Sequence, residues 1–309
     1  MALYVNTNVT SLRGQTSLTN ATNKLETTYQ RLSTGLRINS AKDDAAGLQI
    51  SDRLTAQING LDQGNRNAND AIALAQVMDG ALDESTSMLQ RIRTLAIQAA
   101  NGTNTSVDRT SIQQEVSQLS SEITRIACKT TYAGKQVLAG ASKGMILSTG
   151  KVRFQVGAYA YDTLEVSLST GMTLSGIYAL ATAGGAKPQD KGFSAKGDSG
   201  LITAKGGFYF DVSTFDSAQD VIKACDAVLN VVDTKRAELG AIQNRMESTI
   251  RNQSNTSANV SDARSRIRDT DYAAEASNMT AQSIIQQAAS SILTQANQKP
   301  QIAMSLLQS

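Results

Sequence analysis

The sequence predicts a mainly α fold: a long antiparallel helical bundle with coiled-coil spacing, built by the two ends of the chain, and a small β-hairpin-containing central region. Three observations predict it. Only two prolines occur in 309 residues, Pro188 and Pro300, and an interior proline costs a helix ~3 kcal/mol. Apolar residues in both end regions recur at spacings of three and four, which draws one narrow stripe along a helix. Nine of the 13 aromatic residues lie between Phe154 and Phe215, and 14 of the 22 glycines between Gly134 and Gly207. The middle is therefore chemically distinct from the ends.

The N-terminal part, to about residue 138, reads as three helices. In the first, Val5, Val9 and Leu12 are spaced by four and three, and Leu18, Leu25 and Leu32 follow every seven. The second runs from near Asp43 or Asp44 to about Ala100, with Leu61, Ala68, Ala75, Leu82, Leu89 and Ala96 also every seven. The third carries Ile112, Val116, Leu119, Ile123 and Ile126. Asn101-Gly102-Thr103-Asn104-Thr105 separates the last two. An Asn-Gly pair followed by cap-forming residues suits a chain reversal there.

The middle, to about residue 215, alternates. Val152, Phe154 and Val156 sit two apart, as do Leu164, Val166 and Leu168. Gly157 to Asp162 joins them as a hairpin. Phe208 to Val212 reads as a further strand, and Ala181 to Gly200, rich in Gly, Ala and Lys, as a surface loop. The region has room for only a compact β element.

The C-terminal part mirrors the first. Val221, Cys225, Val228 and Val232 begin a stripe that Leu239, Ile242 and Met246 continue. From Val260 the series Ala263, Ile267, Thr270, Ala274, Ser277, Ala281, Ile284, Ala288, Ser291 is nearly unbroken. Many of its members are Ala, Ser or Thr, so the stripe is thin. At ~25 cal/mol per Å² of buried apolar surface, a thin stripe stabilises little. The end segments, roughly 1–42 and 262–309, therefore need each other, or copies from other molecules, to fold.

The residue inventory excludes much chemistry. The chain has no His and no Trp. Without His, the usual nucleophilic triads, His–carboxylate metal sites and haem ligation lose their base or ligand. Two Cys make neither a structural zinc site nor a dense disulfide framework. No cofactor is implied. The formal net charge of +2 leaves no electrostatic footprint for nucleic acid. No apolar run approaches the ~18 residues of a membrane span. The first twenty residues lack an apolar core segment, which argues against a cleaved secretory signal.

Several groupings of residues could carry chemistry. Asp43-Asp44 point about 100° apart on a helix, so negative charge at a helix N-terminus explains them better than a paired-carboxylate site. Arg264, Arg266, Arg268, Asp269 and Asp271 read as a solvated face or an intersubunit salt-bridge network. Gly192–Gly197 opens like a phosphate loop, but Asp198 stands where Lys is required. Cys225 lies on its apolar stripe, a small buried hydrophobe. Cys128 lies off its stripe, near the end of the third helix. Antiparallel second and third helices would leave the two sulfurs ~21 Å apart along the bundle, beyond disulfide reach, so two free thiols are expected. Asn-x-Ser/Thr triplets carry no weight, because Ser, Thr, Asn and Gln make up 104 of the residues.

Leu32-Ser33-Thr34-Gly35-Leu36-Arg37-Ile38-Asn39-Ser40-Ala41-Lys42-Asp43-Asp44-Ala45-Ala46-Gly47-Leu48-Gln49-Ile50-Ser51 resembles the hallmark N-terminal segment of bacterial flagellins. So do Val5-Asn6-Thr7-Asn8-Val9-Thr10-Ser11-Leu12 near the start, and Leu239 to Arg245, Ala263 to Ile267 and Gln295 to Gln298 in the C-terminal arm. The resemblance covers about 1–140 and 216–309. In the middle it extends to parts such as Phe154-Gln155-Val156-Gly157.

The resemblance implies three regions. Residues 1–42 with 262–309 form a terminal coiled coil that lines the filament core and is disordered in the monomer. Residues 43–140 with 216–261 form a helical rod, and 141–215 a β-rich, variable, surface-exposed part. It implies a structural subunit, not an enzyme, that polymerises with itself into the extracellular flagellar filament. Export proceeds unfolded through the flagellar type III apparatus, without a cleaved signal. The implied partners are a chaperone on the C-terminal arm, the filament cap and the hook-junction proteins. The self-assembly residues are the stripes of the arms: Val5, Val9, Leu12, Leu18, Leu25, Leu32, Ile284, Ile285, Ile292, Leu306 and Leu307. A patch for the animal Toll-like flagellin receptor maps to Gln90, Arg91, Leu95, Gln98 and Glu115, with Thr94 where well-recognised relatives have Glu. The alternative reading is a hook–filament junction protein, which shares the terminal arms.

Overall fold

The computed structural model describes residues 7–140, 150–167, 170–183, 201–204 and 207–307. The chain is mainly helical. Three long helices come first, α1 (Val9–Thr34), α2 (Ala45–Ala99) and α3 (Ser106–Lys129). Three small antiparallel strand pairs follow: β1 (Thr131–Tyr132) with β2 (Lys135–Gln136), β3 (Lys151–Gln155) with β4 (Thr163–Ser167), and β5 (Leu201–Ala204) with β6 (Gly207–Phe210). A short helix α4 (Leu174–Ala183) precedes β5. Two long helices, α5 (Phe215–Arg268) and α6 (Tyr272–Leu307), close the chain. It divides into two compact units, Gly60–Asn255, and Met1–Asn59 with Thr256–Ser309.

In the unit Gly60–Asn255 the heptads set the packing. Leu61, Ala68, Ala75, Leu82, Leu89 and Ala96 are all buried on one face of α2. Val116 and Ile123 of α3 meet that face, as do Val221, Cys225, Val228, Val232, Leu239 and Met246 of α5. Ion pairs fix an antiparallel register between α2 and α5. Arg93 reaches Asp226 at 2.7 Å, and Arg236 reaches both Asp79 and Asp83 at 2.9 Å. The α2–α3 reversal falls at residues 100–105, where Thr105 and Asp108 form a reciprocal capping box that starts α3.

The β3–β4 hairpin has the expected strands and connection, with Val152 opposite Val166 and Phe154 opposite Leu164. Val152, Val156 and Val166 face the core, while Glu165 pairs on the outer face with Lys151 and Arg153. The hairpin turn lies on α2 at its glycines. A Cβ on Gly60 would stand 2.7 Å from the Ala158 Cβ, and one on Gly64 would overlap the Val156 carbonyl. Glycine inside a helix costs ~1 kcal/mol relative to alanine, and the close backbone approach of the hairpin accounts for both.

Two features of the middle differ from the sequence reading. It is not β alone, because α4 intervenes. Thr173 caps its first turn by accepting from the Gly176 N–H at 3.3 Å, and Leu174 and Ile177, three apart, are fully buried. Ten residues with one helical repeat give too short a pattern to stand out from strand alternation. The expected loop 181–200 therefore begins inside α4, and its residues 184–200, with the Gly192–Gly197 motif, lie outside the described residues. Leu168 also lies outside them. The expected strand at Phe208 is β6, which ends at Phe210 rather than Val212.

Both cysteines are free, Cys225 buried and Cys128 half-buried. Among the described residues no group of three His, Cys, Asp or Glu side chains could hold a metal. No described helix is long and apolar enough to cross a membrane.

Candidate self-assembly surface

In the unit formed by the two chain ends, α1 and α6 lie side by side and antiparallel. Asn8 caps α1 by accepting from the Ser11 N–H at 3.1 Å, and its amide donates to the Ala296 carbonyl at 2.8 Å. The Ser11 hydroxyl bonds Asn297 at 2.8 Å, Gln286 donates to Thr22 at 3.3 Å, and Arg31 faces the buried Glu275 at 3.8 Å. The register thus runs from Asn8 beside Ala296 to Arg31 beside Glu275.

The seam between these helices is made of small residues. Gly14, Ala21 and Thr28, every seven, are buried on α1, and Ala289 and Ala296, seven apart, on α6. A Cβ at Gly14 would come within 3.1 Å of Leu293 Cδ1. Small side chains let the two backbones approach but bury little apolar area. Leu18, Leu25 and Leu32 flank the seam and are half-buried.

The inward line of α6 is Glu275, Met279, Gln282, Gln286, Ala289, Leu293 and Ala296. This corrects the sequence reading in two ways. The helix is interrupted at Asp269-Thr270-Asp271 instead of running through from Val260. The stripe Ala274, Ser277, Ala281, Ile284, Ala288, Ser291 is exposed along its whole length. A 3,4 spacing is shared by several faces of a helix, and the apolar series lies on a face other than the one that meets α1.

The large apolar residues of the arms are accordingly left outside. Val9 and Leu12 on α1, and Ile285 on α6, are each about half exposed. Ile284 is 60% exposed and Ile292 57%. Tyr29 and Tyr272 add further exposed apolar surface to the same unit. Val5 lies outside the described residues. Leu306 and Leu307 close α6, and their side chains also lie outside the described set. Large apolar groups on both helices of a pair with a thin seam are the features of a surface completed by further chains.

The two breaks in the helices of this unit meet. Gly35 ends α1 in the left-handed conformation (φ 72°), its N–H bonded to the Arg31 carbonyl. Leu36 then bridges antiparallel to Asp269. The Arg37 N–H donates to the Arg268 carbonyl at 2.7 Å, the Thr270 N–H to the Gly35 carbonyl at 2.9 Å, and the Arg37 guanidinium to the Ile267 carbonyl at 2.7 Å. Asp43 accepts from the N–H groups of Ser40 and Asn39, and those bonds hold its carboxyl below the ordinary carboxylate range. Asp44 accepts from the Gly47 N–H at 2.9 Å at the start of α2. The aspartate pair thus serves as turn and helix cap.

The charged cluster serves this joint as well. Arg268 faces Asp52 at 3.6 Å, Arg264 bonds Thr55 at 3.4 Å, and Arg266 pairs with Asp262 at 2.8 Å. Asp271 caps α6 through the Ala273 and Ala274 N–H groups. These roles lie within one chain. Sequence reasoning missed the joint: the 3,4 series runs on through Thr270, and backbone hydrogen bonds between distant segments leave no side-chain pattern.

The positions to which the resemblance assigns a receptor patch lie in the other unit. Gln90, Arg91, Gln98 and Glu115 are exposed, and Arg91 pairs with Glu115 at 2.7 Å across α2 and α3. Leu95 departs from the group. It is 2% exposed and belongs to the core.

Comparison with known proteins places this architecture. Residues 5–143 match the bacterial flagellin N-terminal helical region, and residues 222–307 the bacterial flagellin C-terminal helical region. Flagellin B of Vibrio cholerae serotype O1 is 38% identical over an alignment of 375 positions that covers 99% of this chain and all of that one. Flagellin A of Vibrio anguillarum is 37% identical, with both chains fully covered. A structure assigned as a flagellar hook-associated protein of Vibrio parahaemolyticus is similar in fold alone, at a TM-score of 0.53 and 15% identity over 74% of this chain and all of that one. Both helical regions and whole-length likeness therefore agree with the paired end helices and their exposed apolar faces: the chain belongs to the bacterial flagellins, which are structural proteins of the flagellar filament and not enzymes.

Proposed function

We propose that this chain polymerises into the filament through α1 and α6, with Val9, Leu12, Leu18, Leu25, Leu32, Ile284, Ile285 and Ile292 packing against neighbouring copies. Val5, Leu306 and Leu307 belong to the same set. One observation carries the reading: the arms bury small residues against each other and leave their large apolar residues outside. Contacts of this kind between unlike surfaces do not close, and they extend into an open helical array.

On this reading residues 1–42 and 262–309 line the filament core and order only on assembly. Their thin seam supports that, since a segment that buries little apolar surface pays its ordering entropy when it binds. Such ends suit export in an unfolded state through the flagellar type III apparatus, without a cleaved signal, and capture of the C-terminal arm by a chaperone. The cap and hook-junction proteins would meet the same arms. The exposed Gln90, Arg91, Gln98 and Glu115 present a polar face to the Toll-like flagellin receptor, while the buried Leu95 supports that face from below.

Seeded polymerisation followed by negative-stain electron microscopy tests the reading. Long filaments are expected from the full chain and none from a chain trimmed to about 43–261. Monomers from the full chain, with seeds and cap protein supplied, would overturn it in favour of a junction protein.

A further inference from the structure

We propose that Asn101 is a site of spontaneous deamidation, and that the fold protects the only other Asn-Gly pair in the chain, Asn59-Gly60. Both asparagine side chains are exposed, so accessibility does not separate them. The backbone does.

The reaction needs the amide nitrogen of the following residue to reach the asparagine Cγ. Glycine favours it because no β-carbon hinders that approach. At Asn101 the requirements are met. The pair lies between α2 and α3, outside any helix. Among the described residues the Gly102 N–H donates to no protein group, so no such hydrogen bond has to break before it loses its proton. Nothing lies within 4 Å of a Cβ built on Gly102, which leaves room for the five-membered ring.

The electrophile is also prepared. The Asn101 Oδ1 accepts from the Thr103 N–H at 3.3 Å. That donor polarises the Cγ carbonyl and supports the oxygen as negative charge develops on it. The turn is held from both sides. The Asn101 N–H donates to the Gln98 carbonyl at 3.1 Å, and its carbonyl accepts from Asn104 N–H and from Arg109 Nη2, both at 3.2 Å.

The atoms balance without a partner enzyme. Water or hydroxide takes the Gly102 amide proton. The nitrogen bonds Asn101 Cγ, the bond from Cγ to the side-chain nitrogen breaks, and ammonia leaves with a proton from water. Water then opens the succinimide at either carbonyl, giving aspartate or isoaspartate. The net change is one water taken up and one ammonia released. Each product places a carboxylate in the turn. Isoaspartate also lengthens the backbone between α2 and the Arg109 clamp.

Asn59-Gly60 lies within α2, where the Gly60 N–H is held in the helical ladder. The hairpin also covers this glycine, since its added Cβ would stand 2.7 Å from the Ala158 Cβ. Attack there requires local opening of a packed helix, and every tenfold in the opening equilibrium slows conversion tenfold.

The test is timed incubation of the full-length protein at mildly alkaline pH, then proteolysis and mass spectrometry with fragmentation that distinguishes isoaspartate. Asn101 is expected to convert roughly tenfold or more faster than Asn59, with both aspartate and isoaspartate formed. Gly102→Ala, which the open space accommodates, should slow conversion at Asn101 and leave the circular dichroism unchanged. After denaturation in urea the two sites should convert at similar rates. Equal rates in the native protein, no conversion at Asn101, or aspartate without isoaspartate would each overturn the proposal.

Discussion

The hydroxyl of Tyr272 stands over Gly35, 2.9 Å from where a β-carbon on that glycine would lie. Gly35 also holds a left-handed backbone. Two requirements, one conformational and one steric, thus coincide where α1 ends and α6 begins. A Gly35→Ala substitution should cost about 1–2 kcal/mol from the backbone alone, with a further penalty from displacing Tyr272. In assembled filaments, amide hydrogen exchange at Arg37 and Thr270, whose N–H groups tie the joint, should accelerate. Unchanged protection of both would show that the joint does not depend on this glycine.

Gly64 and Gly80 make a matched pair in α2. A Cβ on Gly64 meets the Val156 carbonyl, whereas one on Gly80 meets nothing within 4 Å. Gly80→Ala should stabilise the protein by about 0.5–1 kcal/mol through helix propensity. Gly64→Ala should destabilise it despite the same gain, because hairpin backbone must move. Chemical denaturation of the two variants checks this, and a stabilised Gly64→Ala would refute the packing account.

Burial of Cys225 pushes its thiol from 9.0 up to about 12. A raised value means that the folded state keeps the proton after the unfolded state has lost it. Stability should therefore be flat in this group below pH 9 and fall as pH rises from 9 toward about 12. A Cys225→Ala variant should lose that part of the slope. In the native protein Cys128 should react with a thiol reagent and Cys225 should not, while denaturation without reductant should expose both. A native protein with two reactive thiols would contradict the burial.

Leu25 and Ile292 separate pairing of the arms from assembly. Leu25 is half-buried beside the α1–α6 seam, and Ile292 is 57% exposed. Leu25→Asp should loosen the helix pair and abolish polymerisation. Ile292→Asp changes no seam residue and should still block filament growth. Neither should shift the thermal transition of the unit 60–255. Normal filaments from either variant would show that its side chain is not at a subunit contact.

Much of the architecture was legible in the residues. The heptad from Leu61 to Ala96 and the stripe from Val221 to Met246 named their buried faces correctly, since both stripes find their partner helices within the same chain. The β3–β4 hairpin followed from strict alternation around Gly157 to Asp162. The helix α4 was hidden, because ten residues offer too few repeats.

Tertiary packing alone decided which face of the end helices turns inward. Along α6 the isoleucine stripe looked like the core, yet Gln282, Gln286, Ala289 and Ala296 turn toward α1 and Ile284 and Ile292 away from it. Hydrophobic periodicity reports that a face seeks burial. It does not report whether the partner belongs to the same chain or to another. The joint at Gly35 and Asp269 was equally hidden, since its hydrogen bonds link backbone groups more than two hundred residues apart, and backbone groups carry no sequence signature.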